Sequence, residues 1–157
     1  VTKYGAAFVE PKRVGMGLAF VQRYGQRLIE YLADAFSGRF TGRHINEFAK
    51  HISAAGITEL AYQEEKAPVI WARMADGSLA GCTYRRVSRF VTEAPVFQAW
   101  HRHLLGGNYA QVTARLVSSI AVLPNDDGLS DLLYVATSDT ALEDGAIEVL
   151  RPIFEDA

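Results

Sequence analysis

Apolar residues in this chain fall in short runs rich in β-branched and aromatic types, and the runs are divided by turn-forming residues. That pattern predicts strands. Residues 17–23 make the first. Tyr24-Gly25 then turns the chain into 26–33, where Leu28, Glu30 and Leu32 alternate with Arg27, Ile29 and Tyr31. Further strands are expected at 57–63, 69–75, 78–86, 97–105, 116–123, 132–137 and 147–154. Asp76-Gly77 stands between two of these runs and predicts a tight hairpin, because both residues tolerate a positive φ. Gly106-Gly107 closes another run, and 124–128 reads as a loop. One stretch breaks the pattern: Ile45, Phe48, Ala49 and Ile52 recur at the spacing of a helix face, so 44–52 is expected to be a short helix, with Gly56 just beyond its end.

A faint repeat underlies the strands. The hairpin of residues 20–28 matches 70–79 in kind, and 132–136 followed by 145–147 looks like a third copy with a longer turn. Residues 57–62 and 117–122 occupy equivalent places ahead of two of these hairpins. Units of four short strands at such spacing characterise propeller blades, which repeat every ~40–50 residues. The expected fold is therefore all-β with one short helix, built of antiparallel sheets of propeller-blade type. The units are 1–56 (a partial blade plus the helix), 57–107 (a blade) and 108–157 (a blade). A propeller closes with about 4–8 blades, so the expectation is an incomplete one. Its exposed sheet edges would be covered by more chain or by another subunit. The chain opens at Val1 and stops just after an expected strand, and both ends are expected to be cuts, leaving a fragment or a processed chain.

Composition narrows the function classes. The 157 residues are 49% hydrophobic and 22% charged, which marks a globular domain able to bury a core without staples. Net charge is −2 with both signs interspersed, so no strong electrostatic clamp on nucleic acid is expected. Cys82 is the sole cysteine, which excludes an intrachain disulfide. No apolar run approaches the ~20 residues that span a bilayer.

The candidate chemistry centres on 97–107, FQAWHRHLLGG. His101 and His103 alternate onto one face of a strand, a geometry that zinc or iron accepts. A zinc site needs a third ligand, and no spacing selects one from Cys82, His44, His51 or the carboxylates. His44 and His51, seven residues apart, are too distant to share an ion readily. Hydrogen-bonded polar positions on an outer strand are the simpler account of the pair. Ser118 and Ser119 lack a nucleophile elbow, and Cys82 reads as a small inward-facing hydrophobe between Ala80 and Tyr84. Gly15-Met16-Gly17 and Gly106-Gly107 precede no helix start that would cradle phosphate. Residues 125–128 lack the spaced ligands of a calcium loop. Arg85, Arg86 and Arg89, and Lys12 with Arg13, could reach phosphates, although charged strand ends are commoner. Trp71, Tyr84 and Trp100, on three successive strands, offer either a sugar-stacking surface or packing between sheets, the commoner use. No catalytic set and no cofactor site is expected.

In order along the chain come YQEE (62–65), VIWARMADGSLAGCTYRR (69–86), QAWHRH (98–103), Gly106-Gly107, SSIAVLP (118–124) and DLLYV (131–135). This ordered series resembles the tail hub, nozzle or packaged-DNA stabilisation proteins of short-tailed bacteriophages and their prophage relatives. The residues that carry the pattern are Trp71, Asp76, Gly77, Thr83, Tyr84, Trp100, His101, His103, Gly106 and Gly107. FVQRYG (20–25) and IEY (29–31) fit what precedes that block, so the resemblance covers residues 18–137. The chain departs from the pattern at 87–95, at 108–114 and in the final hairpin, and family members are several times longer. The resemblance implies a structural, non-enzymatic virion protein, made in the bacterial cytoplasm and placed in the phage tail. It implies a β-propeller-like domain in a ring, expected to be a hexamer, against portal and adaptor proteins. The ring would line the DNA channel and retain packaged DNA, touching it only through phosphates. Two other classes are carried beside it: a carbohydrate-binding β-domain using Trp71, Trp100 and Tyr84, and a metal-dependent enzyme using His101 and His103.

Overall fold

A computed structural model describes residues 5–33, 38–86, 96–105, 115–139 and 144–150. Among the described residues the strand-rich pattern becomes eleven strands in three antiparallel meanders. The first sheet runs β1 (Lys12–Val14), β2 (Gly17–Val21), β3 (Leu28–Ala33) and β4 (Phe40–His44). The middle sheet runs β5 (Ile57–Gln63), β6 (Val69–Met74), β7 (Leu79–Arg86) and β8 (Val96–His103). The third holds β9 (Leu116–Pro124), β10 (Asp131–Asp139) and β11 (Asp144–Leu150). Every pairing joins consecutive strands, as short hairpin loops dictate. The hairpins matched in sequence, β2–β3, β6–β7 and β10–β11, hold the same place in each sheet. Gly106, Gly107, Arg89, the departures at 87–95 and 108–114, and the end of the last expected strand lie outside the described residues.

The Asp76-Gly77 hairpin forms as its chemistry requires. Met74 N–H donates to Ser78 O at 2.9 Å, and Asp76 Oδ1 accepts from the Ser78 amide at 3.0 Å and its hydroxyl at 2.6 Å. Gly77 has φ 77°, and Val117 N–H donates to its carbonyl at 2.8 Å. A Cβ there would stand 2.8 Å from that of Leu116. Gly77 thus serves both the turn and the close approach of β9.

The expected helix at 44–52 does not form, and no helix occurs among the described residues. His44 instead ends β4, and Ile45 N–H extends the ladder to Leu28 O at 2.9 Å. Three successive turns follow, with Ala49 N–H on Asn46 O, Ile52 N–H on Ala49 O and Gly56 N–H on Ser53 O, at 2.9–3.0 Å. The cause is a buried polar knot. Asn46 Oδ1 accepts from Leu28 N–H at 3.0 Å, while Asn46 Nδ2 donates to Gln26 O and to Ser53 Oγ, both at 2.7 Å. Side chains of this kind compete with helical hydrogen bonds and hold turns. Ile45, Ala49 and Ile52 still reach the core, but the changed phase leaves Phe48 96% exposed. The segment expected to hold the first unit carries a four-stranded sheet.

Alternation sorts the side chains of the middle sheet into two cores. Ile70, Ala72, Met74, Ala80, Cys82 and Tyr84 face the first sheet, where they meet Ala19, Val21 and Leu28. Val69, Trp71 and Leu79 face the third sheet and meet Val117, Ile120, Leu133 and Val135. The first strands of the three sheets come together, with β5 beside both β1 and β9.

Candidate functional site

The motif residues of the middle sheet divide between its faces. Trp71, on β6, looks toward the third sheet; Tyr84, on β7, and Trp100, packed from β8, belong to the core facing the first. The three aromatics therefore share no platform on which a sugar could stack. Each is spent on joining sheets. Trp71 Nε1 donates to Gln63 Oε1 at 3.0 Å, and Gln63 Nε2 donates to Asp131 O at 3.1 Å. The Asp131 carboxylate then accepts from the Glu64 and Glu65 amides at 2.9 and 3.0 Å, clipping the third sheet to the middle one. Trp100 Nε1 donates to Ile45 O at 3.0 Å, and Arg102 to His51 O at 2.8 Å, which tie β8 to the turn segment.

His101 and His103 project on the Trp71 side, as alternation along β8 requires. His101 Nδ1 and His103 Nε2 meet at 2.7 Å, a hydrogen bond in which one ring donates and the other accepts. The imidazole centroids lie 4.8 Å apart at 74°, and the Trp71 ring sits 5.9 Å from His101 and 4.9 Å from His103. Gly81, opposite His101 in the ladder, makes room: a Cβ there would collide with the imidazole ring. Burial pushes both imidazoles below their ordinary pKa, and the charge of His101 pushes His103 further the same way. Each shift favours the neutral ring, the form in which one imidazole can donate to the other. No group of three histidine, cysteine or carboxylate side chains is arranged around an ion site among the described residues. Cys82 lies in the opposite core, where burial pushes its thiol up to about 12 and makes it inert.

A second cluster spans the first and middle sheets. Arg86 donates to Glu30 at 2.6 Å and to the Tyr84 hydroxyl at 3.3 Å, with Glu30 only 1% exposed. Burial, and then the Glu30 carboxylate, raise the Tyr84 phenol above its ordinary range. Arg86, a candidate phosphate ligand in the sequence, is therefore engaged by a carboxylate, while Arg85 stays exposed. The pattern showed Glu30 on the alternating side of its strand but gave no sign of a partner 56 residues away.

Where β1, β5 and β9 converge, they border an open cleft of about 600 Å³. Lys12, Arg13, Thr58, Glu59, Tyr62 and Ala121 are among the residues that line it. Lys12 pairs with Glu10 at 2.7 Å, Arg73 reaches Glu59 at 3.2 Å, and Ser119 donates to Glu59 at 2.8 Å. The lining is polar and mixed in charge. Beside it, Ser118 Oγ donates to Ala136 O, and Ser119 Oγ donates to Glu59, which Arg73 also holds. Among the described residues no helix is long and apolar enough to cross a membrane. No protein-family model matches the chain, and no curated protein matches it significantly.

Proposed function

We propose that this chain is a structural component of the tail hub or nozzle of a short-tailed bacteriophage or prophage, with its three sheets acting as blades of a propeller-like ring. In that role it has no catalytic residues and binds no cofactor. It self-associates about the tail axis, with a hexamer expected, meets portal and adaptor proteins, and helps retain packaged DNA. Two things support the reading: the ordered motif series from Tyr62 to Val135, and the geometry of the three meanders. The observation that carries it is the meeting of β1, β5 and β9 at one polar cleft, since strands that open successive blades border a central passage. Any contact with DNA would be at the phosphates, with Lys12 and Arg13 the cations nearest the cleft.

The test is made in the virus. Purified particles should contain the protein in stoichiometric amount beside the portal. Particles made without it should package DNA and then lose it, measured as DNA-filled against empty heads. Virions that lack the protein, or deletion particles that hold DNA normally, would refute the assignment.

A further inference from the structure

Alternation along β8 sets two imidazoles on one face, but it does not require their nitrogens to meet. Here they do: Nδ1 of His101 and Nε2 of His103 converge at 2.7 Å. β8 is the edge of the middle sheet opposite β5, so the couple stands away from the cleft bordered by β1, β5 and β9. Both rings are half-buried, and solvent still reaches each of them. Trp71 flanks the couple, its ring 5.9 Å from His101 and 4.9 Å from His103. Beneath His101 lies the bare backbone of Gly81, where a side chain would take the space of the imidazole.

That spacing discriminates among metal ions. Metal–imidazole bonds are about 2.0–2.1 Å long. Two such bonds at the right angle of a tetragonal ion hold their nitrogens about 2.9 Å apart, whereas a tetrahedral angle holds them about 3.3 Å apart. The 2.7 Å separation lies nearer the first. We propose that His101 Nδ1 and His103 Nε2 form a cis chelate for a tetragonal divalent transition-metal ion, Cu(II) above Ni(II), with water in its remaining positions. Imidazole suits both ions, and Cu(II) stands highest in affinity among the first-row divalent metals. Zinc is disfavoured, since its sites take at least three protein ligands and no such group of three occurs among the described residues. Binding requires two local changes. The ring that donates in the N–H···N bond shifts its proton to its outer nitrogen, so two neutral imidazoles present two lone pairs and no proton is lost. Each ring then turns about its soft outer torsion until the lone pairs meet off the N–N line. The inference uses residues that the tail role does not, and the two stand or fall separately.

The experiment titrates the full chain with Cu(II) near neutral pH and follows tryptophan fluorescence and electron paramagnetic resonance. Binding should saturate at one ion per chain, quench the indole beside the couple, and give a resonance split by two nitrogens. Ni(II) should bind more weakly, and Zn(II) more weakly than Cu(II). His101→Gln and His103→Gln should each weaken Cu(II) by at least the roughly tenfold that loss of even a supporting partner of a ligand costs. The double variant should lose the site, while His51→Gln, at an exposed position outside the couple, should bind as the parent does. Circular dichroism checks that the variants keep the fold, and the nitrogen splitting is read on the parent chain, whatever the variants do. A parent without a saturable site, splitting by fewer than two nitrogens, zinc bound as tightly as Cu(II), or full binding in the double variant would each overturn the proposal.

Discussion

The middle and third sheets are written in nearly the same pattern but meet different surroundings. In the middle sheet, Ile70 and Met74 enter one core and Val69 and Trp71 the other, so a continuous apolar run finds cover on both faces. In the third sheet, Leu133 and Val135 are covered, while Ile147 and Val149, on the other side, stand open. Near-continuous apolar strands are expected where both faces are covered. The difference teaches that an apolar strand pattern does not by itself say which of its faces is covered. What holds the middle sheet is not hydrophobic packing alone, since a buried ion pair and a tryptophan–glutamine–backbone chain join it to its two neighbours.

The largest effect should come from cutting the ion pair on the first-sheet side. Glu30→Ala leaves the Arg86 guanidinium beside Tyr84 without its carboxylate, and removing one partner of a buried pair costs about 3–5 kcal/mol. Urea unfolding should register that loss. The double replacement Glu30→Leu with Arg86→Met should recover most of it, since no uncompensated charge remains. A single variant as stable as the parent would mean that packing by itself joins these sheets.

A milder contrast compares the two kinds of face directly. Ile70→Ala opens a cavity under a fully buried side chain and should cost about 2–5 kcal/mol. Phe40→Ala, on the open face of the first sheet, should cost about 0.5 kcal/mol or less in the monomer. Cys82 gives a second readout. Its thiol, buried and pushed up to about 12, should resist iodoacetamide at pH 8 in the parent chain and react faster in Ile70→Ala. Equal losses for the two variants would erase the distinction between covered and open faces.

Local chemistry made much of this frame readable in the sequence. β5 spans the expected 57–63, and Asp76-Gly77 forms its hairpin, because each rests on alternation or turn propensity within a few residues. β1 and β4 were not legible. Lys12–Val14 is short with two of its three residues charged, and Phe40–His44 is an edge strand with no buried residue, so neither shows an apolar period. Phe48 misled for the opposite reason: it fits a helical stripe whose phase is overruled by Asn46 and Ser53, which bond residues 20 and 27 positions away. At the candidate site, alternation placed His101 and His103 on one face. The bare backbone of Gly81 beneath them and Trp71 beside them depend on strand register, which no local pattern specifies.

The histidine pair offers the finest probe of the contact between the middle and third sheets. Both imidazoles titrate below the ordinary value of 6.5 in the folded chain, chiefly because burial disfavours their charged forms. The unfolded chain therefore binds more protons than the folded one just below pH 6.5, and stability falls as pH is lowered through that region. Above pH 6.5 both states hold neutral rings and the loss disappears. Among the described residues burial alone shifts His101, and burial with the charge of His101 shifts His103, so the effect belongs to the couple. A first added proton can occupy an outer ring nitrogen and leave the N–H···N bond intact, but a second makes both inner nitrogens donors and sets them against each other at 2.7 Å. Trp71, whose ring contacts both imidazoles, should report this as a change in fluorescence between about pH 6.5 and 4.5, before most carboxylates titrate. Replacing both rings, His101→Gln with His103→Gln, should flatten both the fluorescence change and the stability slope in that window. A slope that survives the substitutions would place the titrating group elsewhere, and the two faces of the middle sheet would then differ in packing without differing in their response to acid.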